Sequence, residues 1–222
     1  MPPMLRRRTS PVGKLALETA YGALATVPIP PADTAADTLS TRDIPMVFAS
    51  RHGECARSVE LQMALAEAAP MSPTAFSLSV HNANAGLFSI ARGSQANTIA
   101  VAAGQSTVEQ AVIEACGLLA DGARQVLLVV ADAPLPEIFA DYADEREEPC
   151  GWSWLMRAAD QHAALPTLSL QWQPAEPLAS TPAAASTDTG GAAAVLRFFL
   201  DQGRTALQRQ ADGRRWHWTR HD

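Results

Sequence analysis

The stretch from Ala96 to Ala131 constrains this chain more than any other. "ANTIAVAA" (Ala96–Ala103) is a short apolar run that stops at Gly104. Ser106 and Glu109 then stand at the S-x-x-E spacing of a capping box, which satisfies backbone N–H groups at a helix start. Val108, Ala111, Val112, Ala115, Leu118 and Leu119 recur at helical steps and form one apolar stripe. Gly122 follows as a C-terminal cap, because glycine takes the left-handed conformation that ends a helix without steric cost. "QVLLVVA" (Gln125–Ala131) is apolar at consecutive positions, as a central strand covered on both faces must be. Strand, helix, strand in this order predicts a βαβ unit, a parallel sheet and an α/β fold. The turn before the helix is where an α/β enzyme often keeps its nucleophile. Here it carries Gln105, whose neutral amide cannot attack.

Other segments are assigned by the same patterning. "IPMVFAS" (Ile44–Ser50) reads as a buried strand. "SVELQMALAEAA" (Ser58–Ala69) has helical spacing at Val59, Met63 and Ala66, stops at Pro70, and is expected to face the core. Ser72–Pro73 marks a turn, and a short helix is expected through Val80 and Ala85. "GWSWLMRAADQHAA" (Gly151–Ala164) reads as helix, "PTLSLQW" (Pro166–Trp172) as strand, and residues 195–208 as helix. "RRWHWT" (Arg214–Thr219) alternates like an edge strand. "VPIPPADTAADTLSTRD" (Val27–Asp43) is expected on the surface, and residues 174–194 form a loop of low complexity. The core is therefore expected within about residues 44–172 of a single domain.

With 222 residues, 47% of them hydrophobic, the chain can bury a full core. A net charge of −6 and a single basic run, Arg6–Arg8, argue against nucleic-acid binding. Three cysteines without regular spacing read neither as a disulfide framework nor as a metal site, and no cofactor is expected. No secretory leader or membrane-length apolar run is visible, so the cytoplasm is the default location. The chain has no G-x-S-x-G elbow, Walker loop, G-x-G-x-x-G or H-E-x-x-H. Its histidines (His52, His81, His162, His217, His221) are expected to be structural or exposed, and Glu147–Glu148 to face water.

Two stretches together carry a resemblance. "SVHNANAGLFSI" (Ser79–Ile90) resembles the N-x-x-A-G-x-x-S/T-I segment of β-ketoacyl synthases, matching at Asn82, Ala85, Gly86, Ser89 and Ile90. "TIAVAAGQSTVEQAVIEACGLLADGARQVLLVVAD" (Thr98–Asp132) is similar to their segment of strand, A-C-x-[ST], helix, Gly, strand. Aligned on Asn82 and Gly86, the pattern brings Gln105 to the nucleophilic Cys without a gap, and Gly122 to the Gly that ends the nucleophile helix. "FASRHGE", "MSPTAFSLSVHNA" and "WHW" resemble segments of the small ketosynthase-like proteins of aryl polyene and xanthomonadin-type pigment pathways, which resemble chain-length factors. Such a factor is the inactive partner of a ketosynthase and often carries Gln in place of the Cys.

The resemblance implies a thiolase-like α/β half-fold, with a mixed sheet and covering helices. It implies a non-catalytic subunit paired with a β-ketoacyl synthase, which would supply the Cys and His residues and receive substrate from acyl carrier protein. The residues after Trp172 are too few for the family's C-terminal half, and "VVADAP" stands where paired glycines are usual, so the domain reads as truncated. Through the resemblance, Thr98, Ile99 and Val101 fall on a strand that pairs across the dimer. Val80, Asn82, Asn84, Leu87 and Phe88 face the partner's acyl tunnel, or else pack in the core. Gln105 is either a hydrogen-bonding placeholder or a residue tolerated in a turn without a task. Two further readings are a residual malonyl decarboxylase or acyltransferase centred on Gln105, and a purely structural assembly partner.

Overall fold

Alternation along two strands organises the molecule. The computed structural model describes residues 1–26, 40–159, 165–175 and 190–221. β1 (Met46–Ala49), β2 (Thr98–Val101), β3 (Val126–Asp132) and β4 (Cys150–Met156) form one sheet in the order β2-β1-β3-β4. β1 is parallel to both β2 and β3, and β4 closes the far side antiparallel. The sheet is thus mixed, and β2 is its open edge among the described residues. Successive side chains of β1 and β3 enter opposite cores. Val47, Leu128 and Val130 point into one, and Met46, Phe48 and Val129 into the other.

Three helices cover the second of these faces: α1 (Pro3–Arg8), α2 (Pro11–Ala25) and α5 (Ala83–Arg92). α2 begins at Ser10, whose hydroxyl accepts the Gly13 N–H at 3.0 Å, with Pro11 at the first helical position. Its inner stripe includes Val12, Ala16, Leu17 and Ala20. Leu17 is fully buried, which stabilises the fold by about 2–3 kcal/mol. The core therefore starts well before residue 44. An interrupted amphipathic pattern hid a helix that packs directly on β3 and β4.

The opposite face carries α6 (Thr107–Ala120), α7 (Gly191–Leu200) and a second, antiparallel sheet. That sheet has the order β5 (Thr167–Pro174), β7 (Arg214–His221), β6 (Ala206–Ala211). α6 ends as expected. The Gly122 N–H donates to Leu119 and the Ala123 N–H to Leu118, with Gly122 at φ 103°.

Four assignments are corrected. Residues 150–156 are strand and not helix, since β3 supplies a full antiparallel partner for Trp152 and Trp154. β7 is a central strand and not an edge, because alternation reports one buried face but not the number of neighbours. The helix expected over 195–208 ends at Leu200, and β6 follows. The helix expected through Val80 is split into α4 (Pro73–Ser77) and α5, with Val80 in the turn between them. The remainder of residues 27–43, 160–164 and 174–194, with His162, lies outside the described residues.

α3 (Cys55–Ala66) is a further correction. Only Val59 of its apolar residues is buried, and the helix packs chiefly on α4. Met63, Leu65, Met71, Phe76 and Val80 are exposed along this α3–α4 arm, with Phe76 at 67%. Among the described residues, no helix is long and apolar enough to cross a membrane.

Candidate functional site

β2 delivers the chain to the head of α6 through a single 3-10 turn, Gly104–Ser106. Gly104 has φ 55°, in the left-handed region that a side chain resists. Gln105 sits half-buried at the centre of this turn. Its backbone carbonyl accepts from the Arg209 guanidinium at 3.2 Å, and its side-chain amide neighbours the Asp144 carboxyl. The Ser106 N–H donates to the Asp212 carboxylate at 2.7 Å, and the Ser106 hydroxyl accepts from the Trp216 indole at 3.0 Å. Thr107 closes the cap. Its hydroxyl donates to the Gly104 carbonyl at 2.7 Å and accepts the Ala103 N–H at 3.0 Å.

The expected capping box is therefore not formed. Ser106 gives its hydroxyl to Trp216, and Glu109 turns inward instead of back to the helix start. Glu109 is fully buried, where it accepts from Arg209 and from the Trp218 indole. An ionised carboxylate so deep in the core requires such a partner.

The acidic loop after β3, expected to face water, folds back over the turn. Arg51 binds Asp144, Glu145 and Glu147, and His52 Nε2 lies 2.5 Å from Glu147. Glu147 is largely buried, while Glu148 stays exposed and pairs with Arg146 and Arg197. Burial pushes the Asp144 carboxyl up. The Arg51 hydrogen bond and charge, with the Gln105 amide, outweigh that and hold it below its ordinary value. Asp132, at the end of β3, accepts from the Ser50 hydroxyl and the Arg51 N–H, yet burial keeps its carboxyl above the ordinary value. Burial also pushes the thiols of Cys55, Cys116 and Cys150 up, so each is held as neutral S–H.

"FASRHGE" and "SVHNA" turn out to touch. A Cβ on Gly53 would lie 2.8 Å from the His81 ring, and His81 Nε2 lies 2.7 Å from the Ser50 carbonyl. Glu54 is buried and accepts from Ser10, Arg57 and Asn84. These residues tie α2, α3 and α5 together. Nothing in the sequence marked Glu54 as buried, because Asn84 and Ser10, which reach it from other helices, are 30 and 44 residues away. Beside them opens a cleft of about 330 Å³ lined by His52, Cys55, Ser58, Gln62, His81 and Phe139. Among the described residues, no cluster of His, Cys, Asp and Glu could hold a metal ion.

The residues expected at an interface separate into two groups. Thr98, Ile99 and Val101 lie on the open edge strand and are half-buried. Val80 and Asn82 are exposed between α4 and α5. Asn84 and Phe88 point inward. Asn84 bonds Glu54, and Phe88 is fully buried against Tyr21 and Phe48. Leu87 is half-buried and packs on the same core.

Comparison with known proteins places this geometry. The family model for the β-ketoacyl synthase N-terminal domain matches residues 1–219. No curated protein matches the sequence. A solved ketosynthase (ApeO) in complex with its chain length factor (ApeC) from Xenorhabdus doucetiae is similar, with 24% identity and a TM-score of 0.74. The match covers 99% of this chain and 81% of that one. The ishigamide ketosynthase/chain length factor is similar with 20% identity and a TM-score of 0.59, over 78% of this chain and 51% of that one. At these identities the structural likeness shows the fold.

Proposed function

The chain belongs to the β-ketoacyl synthase N-terminal domain family, and from that premise we propose that it is a non-catalytic subunit resembling a chain-length factor. It works as a heterodimer with a β-ketoacyl synthase in polyene-type, fatty-acid-like biosynthesis. The observation that carries this reading is Gln105. It occupies the head of α6 directly after β2, the position at which a ketosynthase would need its nucleophilic thiol. The groups gathered there are Asp144, Arg209, Asp212 and Trp216, with no thiol or imidazole among them. The cysteines the chain does possess are neutral thiols elsewhere.

The open edge supports pairing. β2 is short and largely apolar, and among the described residues one side of it is unpaired. An edge left in this form invites another strand. α5 packs on β2 and shows Ile90 at 80% exposure, and the α3–α4 arm adds its exposed apolar residues nearby in sequence. Thr98, Ile99 and Val101 are the strand contacts in this reading. Val80 and Asn82 are the residues offered to the partner's acyl chain, and Asn84 and Phe88 support them from within. The solved neighbours are complexes of a ketosynthase with a chain length factor, which supports the choice of partner. The carrier protein docks on the synthase, and both subunits reside in the cytoplasm. Decarboxylation at Gln105 is disfavoured, because no imidazole stands among the groups gathered around it.

Co-expression with a ketosynthase encoded beside this chain, with a tag on this chain alone, tests the reading. A one-to-one complex is expected, with elongation that depends on the synthase's Cys and not on Gln105. A stable monomer that ignores the synthase overturns it.

A further inference from the structure

One residue of the β6–β7 hairpin reaches the head of α6 from 106 positions away. Asp212 and Gly213 form the two-residue turn, with φ 48° and 70°. Two positive φ values are what a tight hairpin of this twist requires. Asp-Gly is a pair favoured in such a turn, because aspartate tolerates positive φ. The Asp212 carboxylate is turned onto the head of α6. One carboxylate oxygen accepts the Ser106 N–H at 2.7 Å, a donor it shares with the Ala103 carbonyl at 3.1 Å, and the other lies 2.9 Å from where a Cβ on Gly104 would be. Trp216, of the same hairpin, is fully buried and bonds the Ser106 hydroxyl, which anchors the hairpin in place.

A helix N-terminus ordinarily favours an anion, and a thiol placed there ionises more readily. Here the relevant N–H is already taken, and the charges around the turn oppose a further anion. Asp212 faces it from the hairpin, Asp144 from the loop after β3 and Glu109 from α6. Against them stand Arg209, bound to Glu109 and the Gln105 carbonyl, and Arg51, shared among Asp144, Glu145 and Glu147.

We propose that Asp212 is a built-in occupant of the N–H group at the head of α6, a plug that closes position 105 to an anionic nucleophile or ligand. On this view the loss of catalysis is enforced twice, by Gln105 and by the hairpin, and restoring the thiol alone does not restore a reactive centre. The inference rests on the reading of position 105 above, but its test needs no partner, so pairing and plugging can fail separately.

The test is Gln105→Cys, alkylated with iodoacetamide between pH 6 and 10. Peptide mass spectrometry follows each site, so that Cys55, Cys116 and Cys150 are counted apart. The rate at position 105 is expected to reach half its maximum at or above about pH 8.5, the value of an unperturbed thiol. Adding Asp212→Asn removes the charge and is expected to lower that midpoint by about one pH unit, a roughly tenfold gain in thiolate at neutral pH. A midpoint below the unperturbed value in the single variant, or no shift on adding Asp212→Asn, overturns the proposal. Should that double variant fold poorly, Gln105→Cys with Asp212→Gly serves, since glycine suits the positive φ of the turn. The same fall in midpoint is expected, and an unchanged midpoint overturns the proposal.

Discussion

The two ends of β2 and α6 differ in what completes them. At the head of α6, the Gln105 carbonyl and the Ser106 N–H and hydroxyl find partners inside the chain, from Arg209, Asp212 and Trp216. Along the outer side of β2, no strand pairs with the backbone among the described residues, and apolar residues remain on the surface around Val80 and on the α3–α4 arm. In an active synthase one would expect the opposite emphasis, a turn left open for substrate. Here the turn is engaged from within the chain and apolar surface is left uncovered. On the function proposed above, that contrast puts the working surface at the edge and leaves the interior a structural task.

The sharpest way to break the contrast is to unseal the interior. Arg209→Ala strands the fully buried Glu109 carboxylate, so a loss of about 3–5 kcal/mol in unfolding free energy is expected, read from the urea midpoint. A loss under about 1 kcal/mol would mean the cluster is wetter than its burial indicates.

The edge is expected to respond in the other way. Met46 N–H donates to the Asn97 carbonyl and Ser50 N–H to the Val101 carbonyl, so in a parallel ladder Ala100 turns its N–H outward. Ala100→Pro removes that donor without touching the bonds to β1, as proline on an edge strand can. Affinity for the ketosynthase is expected to fall at least about tenfold, near 1.4 kcal/mol. The urea midpoint of the isolated chain stays within about 0.5 kcal/mol of the parent. Loss of stability with unchanged pairing would move the interface away from β2.

The smallest effect expected concerns Asp132, at the boundary between the two regions. Burial holds its folded-state pKa above the ordinary carboxylate value. For a carboxyl raised on folding, the associated stability is full below the unfolded value of about 4 and declines as pH rises through the folded value. Asp132→Asn removes that decline. The variant is expected to gain on the parent as pH rises through this window in paired urea titrations. An advantage that shrinks with rising pH would show that the bonds from Ser50 and Arg51 outweigh burial.

Much of the sheet was legible because it depends on local rules. Consecutive apolar residues placed β1 and β3 inside, the stripe from Val108 to Leu119 placed α6, and Gly122 ended it. The turn at Gln105 was legible from the apolar run before Gly104 and the helical stripe after it. What failed was decided by contacts. Trp152 and Trp154 are compatible with a helix until β3 offers a strand to pair with. Phe88 and Phe76 are equally apolar, yet one is fully buried and the other mostly exposed. Glu109 sits at capping-box spacing, but a guanidinium and an indole from the second sheet draw it inward.

The sequence by itself determined the α/β class, the strand–turn–helix around Gln105 and the absence of a nucleophile there, since each rests on residue type and short spacing. Only the tertiary structure decided that Asp212 fills the turn, that the acidic loop folds over it and that β2 is left open. A hydrogen-bond partner about a hundred residues away leaves no periodic mark in the chain. Whether a strand is paired or bare depends on which neighbours the whole fold brings beside it.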